Sequence, residues 1–299
     1  MTIKPKITVI TACLNRKDFI EAAVQSVLNQ KLVDFEHIIV DGGSTDGTLD
    51  LLVKYPHLRV ISEPDNGVYE AFNKGIALAQ GEYITFLNSD DRWASNSIHF
   101  IVDEIKRSPS VDIFAGDTTI FKLKNDGKLS KHYYLPSLSA EEYQSSLALD
   151  GPAFNAWLIK RDVFDKVGVF DDKYKISGDI DFAFKVFLNQ LVIKPVHQDF
   201  YHYVIHEGSL TFSNNINSRS FEKKEFLEII KRFIKNPDLN SGFRDRLFLM
   251  YKITVDDELK RTLQDMRKGE INIHPIHLIN SFYNLIRFYL FRIICWVFS

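Results

Sequence analysis

The sequence predicts an α/β protein: a mostly parallel sheet flanked by helices, followed by an all-helical C-terminal region. Three observations lead there. Over residues 6–91, short apolar β-rich runs alternate with amphipathic stretches. Polar clusters fall where the strand runs end, which is where ligands sit in open parallel sheets. After Arg219 only helical periodicity remains, broken at Pro237 and Pro275.

Lys6–Ala12 reads as a buried strand and Phe19–Asn29 as a helix with Asp18 as its N-cap. Phe35–Val40 is a second strand, followed by a glycine turn and a helix through Tyr55. Leu58–Ile61, then Val68–Ala79, then Tyr83–Leu87 give strand, helix, strand. A helix is expected near Ser95–Ser108, and Val111–Tyr134 turns to β with a hairpin signal at Lys124-Asn125-Asp126-Gly127. Gly151–Ile159 is mixed, and Asp162–Val167 and Asp179–Leu191 are helical. Val192–His206 supplies one or two strands, and the Asn- and Ser-rich Gly208–Ser218 reads as a mobile loop. Phe221–Lys235, Ser241–Lys268 and Ile276–Phe298 complete a helical C-terminal third. The expected division is 1–215 and 216–299.

The chain has 299 residues, 45% of them hydrophobic, enough apolar surface to offset the ordering entropy of a sizeable core. A net charge of −2 argues against general nucleic-acid binding, which needs an excess of Lys and Arg. The charge is uneven: residues 1–214 carry 22 basic and 29 acidic side chains, residues 215–299 carry 15 and 10. Cys13 and Cys295 cannot make a disulfide framework or a Cys-rich zinc site, and such usage suits a reducing cytoplasm. The apolar run Ile7–Leu14 is short and lacks a cleavage site, so a strand explains it better than a signal peptide.

Four clusters carry chemistry. In Asp41-Gly42-Gly43-Ser44-Thr45-Asp46-Gly47, a strand enters a tight turn, leaving Asp41 able to accept from a nucleobase N–H or a ribose hydroxyl; the alternative is a βα turn in which Ser44 and Asp46 only cap. Neither a Gly-x-Gly-x-x-Gly fingerprint nor a Gly-Lys-Ser/Thr loop is present. Asn88-Ser89-Asp90-Asp91 places two carboxylates after a buried strand, where they need a cation or donors. Mg²⁺ or Mn²⁺ suits one carboxylate plus substrate phosphates, which assigns Asp90 to metal and leaves Asp91 as a cap or supporting group. Glu63 to Gly75 is a Pro/Gly loop running into a helix, with Asn73 and Lys74 near the strand ends; Lys74 would meet a phosphate or remain a surface lysine. Ser177-Gly178-Asp179-Ile180-Asp181 opens a helix with two carboxylates on different faces, one chemical or both serving the helix terminus.

Taken in order, these segments resemble the family 2 glycosyltransferases of GT-A (Rossmann-like) fold, over about residues 6–210. The most specific stretch runs from Asp65 to Asp91, through Asn66-Gly67-Val68-Tyr69 and Asn73-Lys74-Gly75. The resemblance is to bacterial enzymes that build exopolysaccharide or lipopolysaccharide repeat units. It implies a nucleotide-sugar donor, a UDP-sugar by preference, a glycan or lipid-linked saccharide acceptor, Mn²⁺ or Mg²⁺, and inversion at the anomeric carbon. Thr11, Asn15 and Asp41 then face the nucleobase, with Asn66, Lys74 and Ser89 also on the donor. Asp90 binds the metal, Asp179 is the general base and His206 lies near the diphosphate. Two departures stand out: Asn88 and Gly178 occupy positions where many members carry Asp and Glu.

The residue types suit that chemistry, since an inverting displacement needs a base for the acceptor hydroxyl and a Lewis acid for the leaving diphosphate. The competing reading is an inactive nucleotide-sugar-binding or scaffolding protein of the same fold. In Ile276–Phe298 a narrow polar stripe, including Arg287 and Arg292, faces a wide aromatic surface. That predicts a helix lying in a membrane interface rather than spanning it, or packed against protein or a second copy. The expected location is cytoplasmic, peripheral on the inner face of the cell membrane.

Overall fold

The computed structural model describes residues 6–267, apart from 32–33, 125, 146–153 and 210–215. The expected helix at Ile276–Phe298 lies outside the described residues, as does most of the expected loop after Gly208.

Strands β1 (Ile7–Cys13), β2 (Phe35–Asp41), β3 (Leu58–Ser62) and β4 (Tyr83–Phe86) are joined through helices α1 (Ile20–Leu28), α2 (Thr48–Leu52) and α3 (Val68–Leu78). All their pairings are parallel, with Cys13 opposite Asp41 and Asp41 opposite Ser62. The polar turns after each strand therefore gather at one edge of the sheet. Alternation along β2 sends Ile39 into a cluster with Cys13, Ile20, Val24 and Leu52, while Ile38 and Val40 pack on Ala71 of α3. Gly75 lets α3 approach closely: a Cβ there would come within 2.4 Å of Ile10.

The second half is mixed. β5 (Arg92–Trp93), α4 (Ile98–Arg107), β6 (Ile113–Leu123) and β7 (Leu129–Leu135) precede α5 (Ala140–Ser145), β8 (Trp157–Lys160), α6 (Val163–Val167), α7 (Gly178–Leu188) and β9 (Ile193–Ile205). The sheet order is β3-β2-β1-β4-β8-β6-β9-β5, with β7 pairing β6. β8 runs antiparallel between β4 and β6, while β6 and β9 are parallel and shift register near Asp117. The mixed segment around residue 159 was too short and irregular to reveal that inserted strand. Val192–His206 forms a single strand.

Asp18 is not the N-cap of α1. It is exposed, and the N–H groups of Phe19 and Ile20 bond to the Arg16 carbonyl instead. The chain divides into compact units at residues 225 and 226, a boundary inside α8 (Ile216–Ile234). In the second unit, α9 (Ser241–Arg267) follows a turn in which Arg244 bonds the carbonyls of Asn236, Pro237 and Leu239. No helix among the described residues is long and apolar enough to cross a membrane.

Candidate active site

The loops after β1 and β2 are stitched together by side chains. Asn15 N–H donates to Ser44 Oγ (2.7 Å), and Thr45 N–H returns to Asn15 Oδ1 (2.9 Å). Arg16 N–H reaches Thr48 Oγ1 and Lys17 N–H reaches Asp46 Oδ2. Asn15 adopts φ 51°, a left-handed conformation that Asn tolerates better than most residues. Asp41 is fully buried and accepts from Gly43 N, Ser44 N, Ser44 Oγ and Ser62 Oγ. Its carboxylate thus shapes the turn. Thr11 is likewise fully buried, with its hydroxyl 3.0 Å from His37 Nε2. Cys13 beside it is a buried thiol, pushed up to about 12 by burial and by Asp41, so it is no nucleophile.

The next layer is the start of α3. Asp65 lies against Gly42, where a Cβ would come within 2.9 Å of its carboxylate. Asp65 accepts Gly67 N–H, and Glu70 accepts both the backbone and side-chain N–H of Asn66. Lys74 Nζ has three acceptors around it: Glu63 (3.0 Å), Glu70 (3.2 Å) and the Pro64 carbonyl (3.1 Å). These match the three donors of an ammonium, so Lys74 clamps the loop in this arrangement. Asn73 bonds both the carbonyl and N–H of Phe170, which ties α3 to the segment before α7.

At the end of β4 the two adjacent carboxylates part company. Asp91 is buried and accepts from Tyr201 Oη (2.7 Å), Val204 N (2.8 Å) and Asn88 Nδ2 (3.0 Å). Burial and the neighbouring Asp90 charge raise it to about 8. Asn88 is therefore a donor to a buried carboxylate. Ser89 is buried within the same turn. Asp90 remains partly exposed, with Oδ2 placed 2.9 Å from His206 Nε2 and 3.9 Å from Arg16 Nε. Gly208 N–H donates to His206 Nδ1, which leaves the imidazole proton on Nε2, directed at Asp90. Phe19 stacks on the His206 ring at 4.3 Å.

A divalent cation fits this corner in one way. No cluster of three His, Cys, Asp or Glu ligands exists among the described residues. Asp90 Oδ1 has no partner among them, while Oδ2 is held by His206. Asp90 would thus supply one carboxylate oxygen to Mn²⁺ or Mg²⁺, with the rest of the shell drawn from water and phosphate.

Asp179 lies in the first turn of α7, half-buried. Its Oδ1 accepts Ile180 N–H (2.9 Å) and faces Tyr69 Oη at 3.1 Å; Oδ2 has no partner among the described residues. Burial raises it to about 6, opposed by the Ile180 and Tyr69 hydrogen bonds, while the charge of Glu225 adds to the rise. Asp181 is fully buried, 3.0 Å from Lys185 Nζ. Gly178 also has a reason: a Cβ there would come within 2.8 Å of the Tyr69 ring. Tyr69, Glu225 and Tyr201 escaped the sequence reading because each acts across more than forty residues on a partner of different type.

These features gather at the carboxyl ends of the parallel strands of a GT-A-like α/β fold. The profile described as glycosyl transferase family 2 matches residues 8–168, more than half of the chain, and the protein belongs to that family. It is 43% identical over 100 residues to TuaG of Bacillus subtilis, a glycosyltransferase assigned to teichuronic acid biosynthesis; that match covers 32% of this chain and 40% of TuaG. A PGL/p-HBAD biosynthesis glycosyltransferase of Mycobacterium tuberculosis is 28% identical over 204 residues, 64% of this chain and 74% of that protein. Among solved structures, S. aureus TarS 1–349 in complex with UDP-GlcNAc has a TM-score of 0.60 at 19% identity, covering 82% of this chain and 70% of that one. The mannosyltransferase PcManGT of Pyrobaculum calidifontis, with GDP-Man and Mn²⁺, has a TM-score of 0.59 at 16% identity, covering 95% and 81%.

Proposed function

We propose that the protein transfers a sugar with inversion from a nucleotide diphosphate donor, a UDP-sugar, to a hydroxyl of a glycan or lipid-linked saccharide in bacterial surface polysaccharide synthesis. One observation carries this reading: Asp179 is a half-buried carboxylate raised to about 6, with one oxygen tied and the other open. A base poised near its working pH removes the acceptor proton as the hydroxyl attacks. The family membership and the TuaG and mycobacterial relatives support the substrate class. The UDP-GlcNAc complex of TarS and the GDP-Man complex of PcManGT both accord with a nucleotide diphosphate donor, and UDP follows from the family resemblance.

The protein's own residues divide the work. The stitched loops carrying Asn15 and Ser44, shaped by Asp41, form the rim that receives the base and ribose. Asn66 holds the start of α3 beside that rim, and Ser89 packs the turn that presents Asp90. Thr11 supports the rim from beneath through His37. Arg16 and His206 bring positive or donor groups toward the diphosphate, where they stabilise charge that grows as the bond to the sugar breaks. Lys74 joins them only if it leaves Glu63 and Glu70. A Mn²⁺ or Mg²⁺ ion held by Asp90 would supply Lewis-acid stabilisation of the leaving phosphates. Asp179 Oδ2 takes the acceptor proton on the other side of the sugar.

The cytoplasmic membrane face belongs to the same reading, through the positive charge of residues 215–299 and the amphipathic pattern of 276–298. The direct test is a panel of nucleotide sugars with Mn²⁺, read by thermal stabilisation and then by donor hydrolysis. One nucleotide sugar should raise the melting temperature and release its nucleotide diphosphate. Binding without release would favour the inactive binding protein, and no binding at all would remove the donor assignment.

A further inference from the structure

Glu225, on α8, is buried, 6% exposed. Its Oε1 accepts the N–H of Lys175 (2.6 Å), and its Oε2 accepts those of Ile176 (3.0 Å) and Ser177 (2.9 Å). Three successive amides converging on one carboxylate fix the backbone that leads into α7. The last of these amides belongs to the same planar unit as the Ile176 carbonyl, which must point the opposite way. That carbonyl meets Tyr69 Oη at 2.6 Å. Tyr69 Oη in turn lies 3.1 Å from Asp179 Oδ1. A continuous path therefore runs from Glu225 through one rigid peptide plane and one hydroxyl to the carboxylate.

We propose that Glu225 and Tyr69 form a positioning pair for Asp179, Glu225 by fixing the Ile176–Ser177 peptide and Tyr69 by relaying that position to the carboxylate. The inference rests on the reading of Asp179 as the general base. Tyr69 has one proton for two acceptors, Ile176 O and Asp179 Oδ1. Sharing it limits how far the hydroxyl stabilises the ionised carboxylate, so the base stays basic. The Tyr69 ring is held for this task by its packing on Gly178. Among the described residues, the charged or titratable groups facing Asp179 from other elements are Tyr69 on α3 and Glu225 on α8; on its own helix, Asp181 pairs with Lys185.

The two members act on Asp179 with opposite sign. Tyr69→Phe keeps the ring but removes a hydrogen bond to the carboxylate, so the acid limb of the kcat–pH profile should move to higher pH. Glu225→Gln removes a negative charge, so that limb should move to lower pH. Each variant should also lose about 10–100-fold in kcat from misplacement of the base, with donor Kd unchanged. The experiment is the kcat–pH profile of both variants with the full chain, beside a carboxyl ¹³C titration of Asp179 assigned by its loss in Asp179→Asn. Opposite shifts support the pair. An unmoved limb and an unmoved Asp179 titration in Tyr69→Phe overturn it, and that variant decides alone if Glu225→Gln does not fold. Normal turnover by Asp179→Asn would instead overturn the base assignment, which separates the two failures.

Discussion

His206 Nε2 lies 2.9 Å from Asp90 Oδ2, although 116 residues separate them in sequence. What brings them together is Asp91. It ties the turn after β4 to Tyr201 and Val204 on β9, and His206 follows directly from that strand's end. Ser209 Oγ then accepts His206 N–H and donates to the Val204 carbonyl, closing the frame. One carboxylate is left partly exposed and its neighbour is spent on the scaffold.

That division predicts different fates for the two. Asp90→Asn should cut turnover by orders of magnitude and weaken metal-dependent donor binding, with the melting temperature nearly unchanged. The check is kcat and donor Kd with and without Mn²⁺. Full wild-type activity in EDTA would contradict the metal assignment.

Asp91→Ala should instead unfold the frame. It strands three buried donors, at a cost of about 2–4 kcal/mol. Denaturant melts of Asp91→Ala and Asp90→Asn, run together, should show the loss only in the former.

Asp179 links activity and stability to pH in opposite directions. Its carboxyl is raised from 3.8 to about 6 in the folded protein. Below pH 3.8 both folded and unfolded chains hold the proton, and the group costs nothing. Between 3.8 and 6 the unfolded chain releases it first, so stability falls as pH rises, and above 6 the full cost is present. Asp179→Asn keeps an oxygen for Ile180 N–H and Tyr69, so at pH 7 it should be more stable by about 1–3 kcal/mol. Its advantage should vanish as the pH falls toward 4. Wild-type kcat should fall about tenfold per pH unit below about 6, as the base is protonated.

Gly178→Ala is the test of the packing beneath the base. A methyl group there meets the Tyr69 ring at 2.8 Å, so the ring must shift. The expected loss is about 1–3 kcal/mol of stability, with kcat reduced more than donor affinity. Unchanged kinetics would mean that Tyr69 has slack to spare.

Much of the fold was legible because its signals are local. The four parallel strands, their turns and the partly exposed Asp90 follow from apolar runs ending in polar clusters. The antiparallel β8 was not legible, since four residues between a short irregular stretch and a helix carry no period. In the site, Asp90 stood out as a carboxylate at a strand end, whereas Asp179 was one of two carboxylates at a helix start and only the family resemblance singled it out. The burial of Thr11 and Asp41 did not stand out, because a polar residue on a strand covered on both faces looks like one facing a ligand. Lys74 was readable as a cation near the strand ends, but its acceptors Glu63 and Glu70 depend on the loop's path. Glu225 gave no local sign at all. Its amide partners lie about fifty residues earlier and leave no trace in side-chain chemistry.

In the proposed reaction Asp179 removes the acceptor proton. Acceptor turnover and donor Kd, compared for Asp179→Asn and Asp181→Asn side by side, decide this role. Asp179→Asn should lose about 10²–10⁴ in kcat while donor Kd barely changes. Asp181, fully buried beside Lys185, should affect stability far more than chemistry. Normal turnover by Asp179→Asn with a folded but inactive Asp181→Asn would contradict this assignment and reverse the two roles.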